Sequence, residues 1–223
     1  AKVMGFNLME NFRRPYFARS VGEFWHRWHI SLSTWFKDYL YIPLGGNRLG
    51  WTRHLFNLFV TFLVSGVWHG ANWTFVIWGA LHGFYSVGGV VWKRFFRLAD
   101  RSSTPVTGWK RFAGYVADVG LNLVLVVFAW IFFRANSVED AVVIIRKMVT
   151  MQGPLFVDQS TLAYAFLGIS ILFLKELAEE LNVAGTDVKI LHRLPNRSIR
   201  MALYLVLTSL ILVFGVFDGG QFI

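Results

Sequence analysis

With 223 residues, 55% of them apolar and only 16% charged, and with 22 Phe and 10 Trp, the chain carries more apolar side chain than a soluble fold of this size can hide. The absence of cysteine excludes a disulfide frame, a thiolate metal site and an acyl-cysteine intermediate. The net charge of +9 is scattered between apolar runs, which suits anionic lipid at a membrane surface and argues against nucleic acid.

In chain order, residues 20–42 are too polar for a simple membrane span and too aromatic for a loop. Placed on one helix, Arg27, Ser31, Thr34 and Asp38 share a face, and Trp25, His29, Leu32 and Phe36 share the opposite one. This predicts an amphipathic helix that lies in the interface or re-enters the membrane. The turn-forming run Pro43-Leu44-Gly45-Gly46-Asn47 ends it. Residues 55–92 follow without a single Asp, Glu, Lys or Arg, long enough for two spans of about 20 residues each. The break between them falls at His69-Gly70-Ala71-Asn72-Trp73. Shorter uncharged runs at 119–133, 159–174 and 201–217 each reach span length with flanking aromatic or snorkelling residues. The expected fold is therefore all-α, a polytopic transmembrane helical bundle of about five spans after the amphipathic or re-entrant segment at 20–53, forming one membrane domain over 1–223.

Loop charge sets an orientation. Residues 93–111 carry six Lys or Arg, 134–158 three and 175–200 five, so the first and last of these loops face the cytoplasm and the middle one faces out. The chain starts at Ala1 and stops at Ile223 directly after an apolar run, the pattern expected of a piece of a longer membrane protein.

Polar groups inside apolar segments are costly, so each is a candidate for function. Asp118 and Asn122, at the entry of a span, need only an interfacial contact or a helix-helix hydrogen bond. His54 marks a headgroup boundary. His69 lies near the middle of the uncharged 55–92 region, with Asn72 three residues on. Burial disfavours an imidazolium, so a neutral ring able to take a proton from a hydroxyl is expected. A histidine hydrogen-bonded to a neighbouring helix satisfies the same pattern. Gly66 with Gly70, and Gly79 with Gly83, would admit close approach of another helix or a substrate. His29, on the aromatic face, is a second catalytic or substrate-holding candidate, whereas His26 and His82 read as interfacial and packing residues. His26 and His29 have a helical metal-ligand spacing, yet the six histidines are widely spread and no carboxylate is placed to join His69, so no metal is expected.

These residues also carry a resemblance. The stretch 23–48, with Trp25, Trp28-His29, Trp35-Phe36, Asp38-Tyr39 and Pro43-Leu44-Gly45-Gly46-Asn47-Arg48, resembles the signature of membrane-bound O-acyltransferases, nearest to the branch of the alginate O-acetylation membrane subunit. Gly66-Val67-Trp68-His69-Gly70-Ala71-Asn72-Trp73-Thr74, followed by Trp78-Gly79 and His82-Gly83, resembles that branch's second signature, and Phe214-Gly215-Val216 is similar to its last span. The resemblance implies a membrane enzyme of which this chain is roughly the C-terminal half. His69 matches the family's essential histidine and His29 a contributing upstream residue. His26 departs from the family pattern and is left out of the site.

The implied reaction moves an acyl group, here acetyl, from a cytoplasmic-side thioester to hydroxyls of an extracytoplasmic polysaccharide. His69 would act as base or acyl relay, and His29 would orient the donor carbonyl or share the proton. Asn72, Trp68 and Trp73 would donate hydrogen bonds to the substrate. No bound cofactor is expected, with acetyl-CoA or another acyl thioester as donor. Expected partners are membrane lipid, the polysaccharide acceptor and a periplasmic or extracellular acetylation protein, in a bacterial cytoplasmic membrane. D-alanyl or other acyl transfer to teichoic acid or another glycan is the alternative, and a non-enzymatic transporter or scaffold the alternative of a different class.

Overall fold

A computed structural model describes residue 5 and residues 8–95, 109–150 and 159–183. Every regular element among them is helical. A 3₁₀ turn at Pro15–Phe17 precedes α1 (Val21–Arg27) and α2 (Ile30–Phe36), which runs into a π-helical turn at Lys37–Tyr41. Then come α3 (Trp51–His69), α4 (Trp73–Phe95), α5 (Trp109–Arg134), α6 (Val138–Thr150) and α7 (Gln159–Val183). The chain divides into two compact units, Ala1–Glu180 and Leu181–Ile223, and the fold described below is that of the first. The expected span at 201–217, with Phe214-Gly215-Val216, lies outside the described residues.

The single helix expected over 20–42 is broken. Its first part, α1, is well started: the Ser20 hydroxyl accepts from the Glu23 amide at 3.2 Å, and the Glu23 carboxylate reaches back to the Arg19 amide at 2.9 Å, two donors satisfied reciprocally. At His29 the backbone turns left-handed, with φ 45° and ψ 54°. The loosened groups on both sides of this turn are taken up by a distant strand of chain. Asn11 accepts from the Ile30 amide through its carbonyl and from the Ser31 amide through its side chain, both at 3.0 Å, while the Arg13 amide donates to Arg27 O at 2.8 Å. The helical periodicity was real on each side of the break, and residues 11–13 supply the partners that make a break stable.

α3 and α4 form an antiparallel hairpin whose seam is glycine. A Cβ on Gly79 would lie 2.6 Å from the Phe62 carbonyl oxygen and 3.1 Å from the Gly66 Cα, and one on Gly66 would run into the Phe75 carbonyl. The close approach anticipated at these glycines is thus between the two helices themselves. Asn72 starts α4 by accepting from the Thr74 amide at 3.1 Å, as a good N-cap does. The break inside the uncharged region falls where it was expected. Two described helices, α4 and the Phe112–Arg134 part of α5, are long and apolar enough to cross a bilayer.

α1 lies across α4 and α5. Phe24 packs with Ala18 and Val126, and Trp25 reaches the cluster of Trp78, Ala129 and Phe132. The same cluster contains Ala141 of α6. Residues 134–158, expected as a loop, therefore hold a helix that joins the core. Its alternation of Glu139-Asp140 and Arg146-Lys147 with an apolar face kept it below the hydropathy of a span. Asp118 pairs with Arg19 at 3.0 Å and Asn122 donates to Ala18 O at 3.0 Å, the structural role expected for both.

Candidate active site

His69 closes α3, and its half-buried ring sits in an aromatic setting. Ring centroids of Trp68, Trp78 and Phe133 lie 5.0, 5.2 and 5.0 Å away, each edge-on, and Phe75 lies 6.2 Å away. α3 supplies the histidine, α4 one wall and the end of α5 the other. No hydrogen bond holds the imidazole among the described residues, so the helix-bonded alternative for His69 has no partner within them. His29 lies within electrostatic reach of the His69 ring. Its Nδ1 is 3.5 Å from Ser31 Oγ, and Phe12 sits 6.2 Å away ring to ring. Two histidines forty residues apart thus come to one neighbourhood, one at the end of a long helix and the other in a left-handed turn between two short ones.

The remaining candidates are placed differently. The Asn72 amide is engaged on both sides: its oxygen caps α4, and its Nδ2 donates to Asn136 O at 2.8 Å, tying this turn to the one between α5 and α6. Trp68 packs edge-on against Phe36 at 5.9 Å and leaves 58% of its surface exposed. Trp73 is 73% exposed, so its indole points away from the packed side of α4.

His54, His26 and His82, expected at a headgroup boundary, at an interface and in packing, each have a distinct setting. His54 Nδ1 is 2.7 Å from the Tyr41 hydroxyl, and burial raises the Tyr41 phenol above its ordinary range, which keeps that hydroxyl protonated. His26 is exposed and lines a cavity of about 850 Å³ with Arg19, Tyr85, Asp118 and Asn122. This cavity had no sequence signal, because its walls come from three separate segments. His82 is fully buried, and its Nδ1 accepts from Trp25 Nε1 at 3.2 Å. Packing describes only part of that position, since the ring's other nitrogen is also buried.

Comparison with known proteins matches this arrangement to one family. A profile described as "MBOAT, membrane-bound O-acyltransferase family" matches residues 4–138, which include both histidines. The chain is 46% identical over 139 residues to the probable alginate O-acetylase AlgI of Pseudomonas putida, covering 62% of this chain and 26% of that protein. It is 39% identical over 157 residues to the peptidoglycan O-acetyltransferase of Helicobacter pylori, covering 70% and 28%. It is 33% identical over 87 residues to the teichoic acid D-alanyltransferase of Bacillus subtilis, covering 36% and 22%. The matched stretch spans about a quarter of the length of these relatives. With the family profile covering more than half of its length and both signature stretches inside the match, this membrane-protein chain belongs to the membrane-bound O-acyltransferase family.

Proposed function

We propose that the protein containing this chain is a multi-pass O-acyltransferase of a bacterial cytoplasmic membrane that places acetyl groups on hydroxyls of an extracytoplasmic polysaccharide. The acyl donor is a thioester, acetyl-CoA or a protein-bound equivalent, presented from the cytoplasmic side. The observation that carries this reading is the shared setting of His69 and His29 inside the stretch most similar to alginate O-acetylase. His69, with both ring nitrogens free of hydrogen bonds to the described residues, takes the acceptor's proton as the hydroxyl attacks the thioester carbonyl. The proton ends on the departing thiol, and the products are an ester and that thiol. His29 orients the donor carbonyl from the neighbouring turn. The exposed Trp68 indole can meet substrate beside His69, and Asn72 supports the turn carrying both. Trp73 contributes to a substrate-facing or lipid-facing rim. Membrane lipid surrounds the bundle, and a periplasmic or extracellular acetylation protein completes delivery to the polymer.

General-base assistance is worth about 10²–10⁴ in rate. The test is expression of the full-length protein with its operon partners, measuring acetyl ester on secreted polymer by NMR. His69→Ala should remove nearly all of it at unchanged membrane abundance, and near-normal acetyl content would refute the assignment. D-alanyl transfer to teichoic acid is the second reading, supported by the similarity to D-alanyltransferases. It predicts alanyl ester on wall polymer and no acetyl ester in the same assay.

A further inference from the structure

His69 has no hydrogen bond among the described residues, so packing alone sets the direction of its ring. The residue that packs it from α4 is in turn held by a polar contact. Trp78 lies 5.2 Å from His69 and 4.9 Å from His82, ring to ring, and Trp78 and His82 are buried, at 2% and 0% exposure. Trp25 Nε1 donates to His82 Nδ1 at 3.2 Å, and the Trp25 ring stands 5.0 Å from His82 and 5.8 Å from Trp78. Trp25 belongs to α1, four residues before His29. This hydrogen bond therefore joins the segment that carries His29 to the helix whose Trp78 bears on His69.

A residue needed only for packing would not take this form. With Nδ1 accepting, the neutral ring carries its proton on Nε2, and Nε2 is buried without a partner among the described residues. A buried donor left unpaired costs stability, and a leucine of comparable bulk would carry no such donor. What the imidazole supplies instead is direction. Dispersion lets one ring slide over another at little cost, whereas a hydrogen bond weakens steeply once it is bent or stretched. A directional bond between α1 and α4 fixes how the two elements lie, and that placement sets where His29 stands relative to His69.

We propose that Trp25 and His82 are positioning residues: their hydrogen bond holds α1 against α4 so that the His29 turn and the His69 ring keep the separation that acyl transfer needs. Neither side chain has to touch substrate or carry a proton. Trp25 acts through the backbone of α1 on the turn that follows it, and His82 acts through Trp78 on His69. The Asn11 contacts fix the shape of the His29 turn, and the Trp25–His82 bond fixes where that turn lies against α4. The functional half of this inference rests on the acyltransfer reading, in which His29 orients the donor carbonyl while His69 takes the acceptor's proton. A misplacement of ~1 Å can cost about 10²-fold in rate.

Two substitutions at one position separate placement from packing in the full-length protein. His82→Leu fills the site and removes the unpaired Nε2–H, but leaves Trp25 Nε1 without an acceptor. His82→Asn puts an amide oxygen where Nδ1 stands and keeps that acceptor, but leaves a gap where the rest of the ring was. Stability should follow filling, so His82→Leu melts near wild type and His82→Asn melts lower. Turnover should follow the bond: kcat falls about 10–100-fold in His82→Leu and less than about threefold in His82→Asn, each at a KM within about twofold, as lost placement predicts. Turnover that tracks melting temperature, or wild-type turnover in His82→Leu, would overturn the positioning role. Spin labels on His26→Cys in α1 and Ala71→Cys before α4, both exposed, read the tie without any activity in a protein freed of other cysteines. Double electron–electron resonance should give a broader distance distribution in His82→Leu than in wild type or His82→Asn, and an unchanged distribution would overturn the tie itself. Activity retained in His69→Ala would instead defeat the acyltransfer reading, and the spin-label result would still decide the tie.

Discussion

A histidine with φ 45° occupies a region that non-glycine residues visit rarely and at a cost of roughly 1–3 kcal/mol. His29 stays there because Asn11 accepts from both amides that follow it, acting as a cap supplied from another part of the chain. Asn11→Ala should therefore lower stability by about 1 kcal/mol, the usual worth of an N-cap, and reduce acyl transfer by letting the His29 ring drift. Asn11→Asp, which still accepts from Ser31, should retain most of both. Thermal unfolding of the detergent-solubilised full-length protein together with its turnover checks this, and identical behaviour of the two variants would contradict it. His69 stood out in the sequence as a candidate because an imidazole amid 38 residues without Asp, Glu, Lys or Arg calls for either a helix-helix hydrogen bond or a functional role. The turn at His29 did not, because its cause lies eighteen residues upstream in a segment with no helical pattern.

At the scale of elements, the glycine seam between α3 and α4 makes the most direct prediction. Gly79→Ala places a Cβ against the Phe62 carbonyl and the Gly66 backbone, neither of which can rotate away. The helices must separate, at about 1–3 kcal/mol, as overpacking typically costs. Gly120→Ala in α5 meets nothing within 4 Å and should be neutral or gain up to about 1 kcal/mol, because alanine suits a helix interior better. Melting temperatures of the two variants should move in opposite directions, or the second not at all; equal losses would argue against the seam. The hairpin itself was readable, since a long uncharged run with one polar interruption has few other solutions. α6 was not, because a 13-residue helix with charges at both ends looks like a polar connection until Ala141 is seen in the core. The cavity beside Tyr85 escaped for a related reason: residues 19–26, 85–93 and 118–125 become neighbours only after α1 is laid across α4 and α5.

For the whole molecule, charge distribution and topology make a joint prediction. Arg14 and Arg27 both pair with Glu180, at 2.9 and 3.3 Å, and Arg27 also pairs with Glu23 at 2.6 Å, so the segment around α1 is bound ionically to the end of α7. Arg94 lies over the Trp51 ring at 4.2 Å, and Asn72 bonds Asn136, which puts 51 with 94 at one end of the bundle and 72 with 136 at the other. The positive-inside rule assigns the first end to the cytoplasm. The sequence has no native cysteine, so single cysteines at Thr52 or Arg94 in this chain can be tested in a full-length protein freed of any others. They should resist an impermeant thiol reagent added to intact cells, whereas those at Ala71 or Asn136 should react. The reverse pattern would invert the orientation and move the thioester to the other side.

The central claim is that the His69 imidazole, held between α3, α4 and the end of α5, performs the acyl transfer. Its most direct measurement is the initial rate of acetyl ester formation by the purified full-length protein, supplied with a thioester donor and polysaccharide acceptor, for wild type against His69→Ala. The account predicts a fall of at least about 10², the low end of what a general base contributes, in a variant that unfolds at the wild-type temperature. A variant equally stable and within a few-fold of wild-type rate would contradict it.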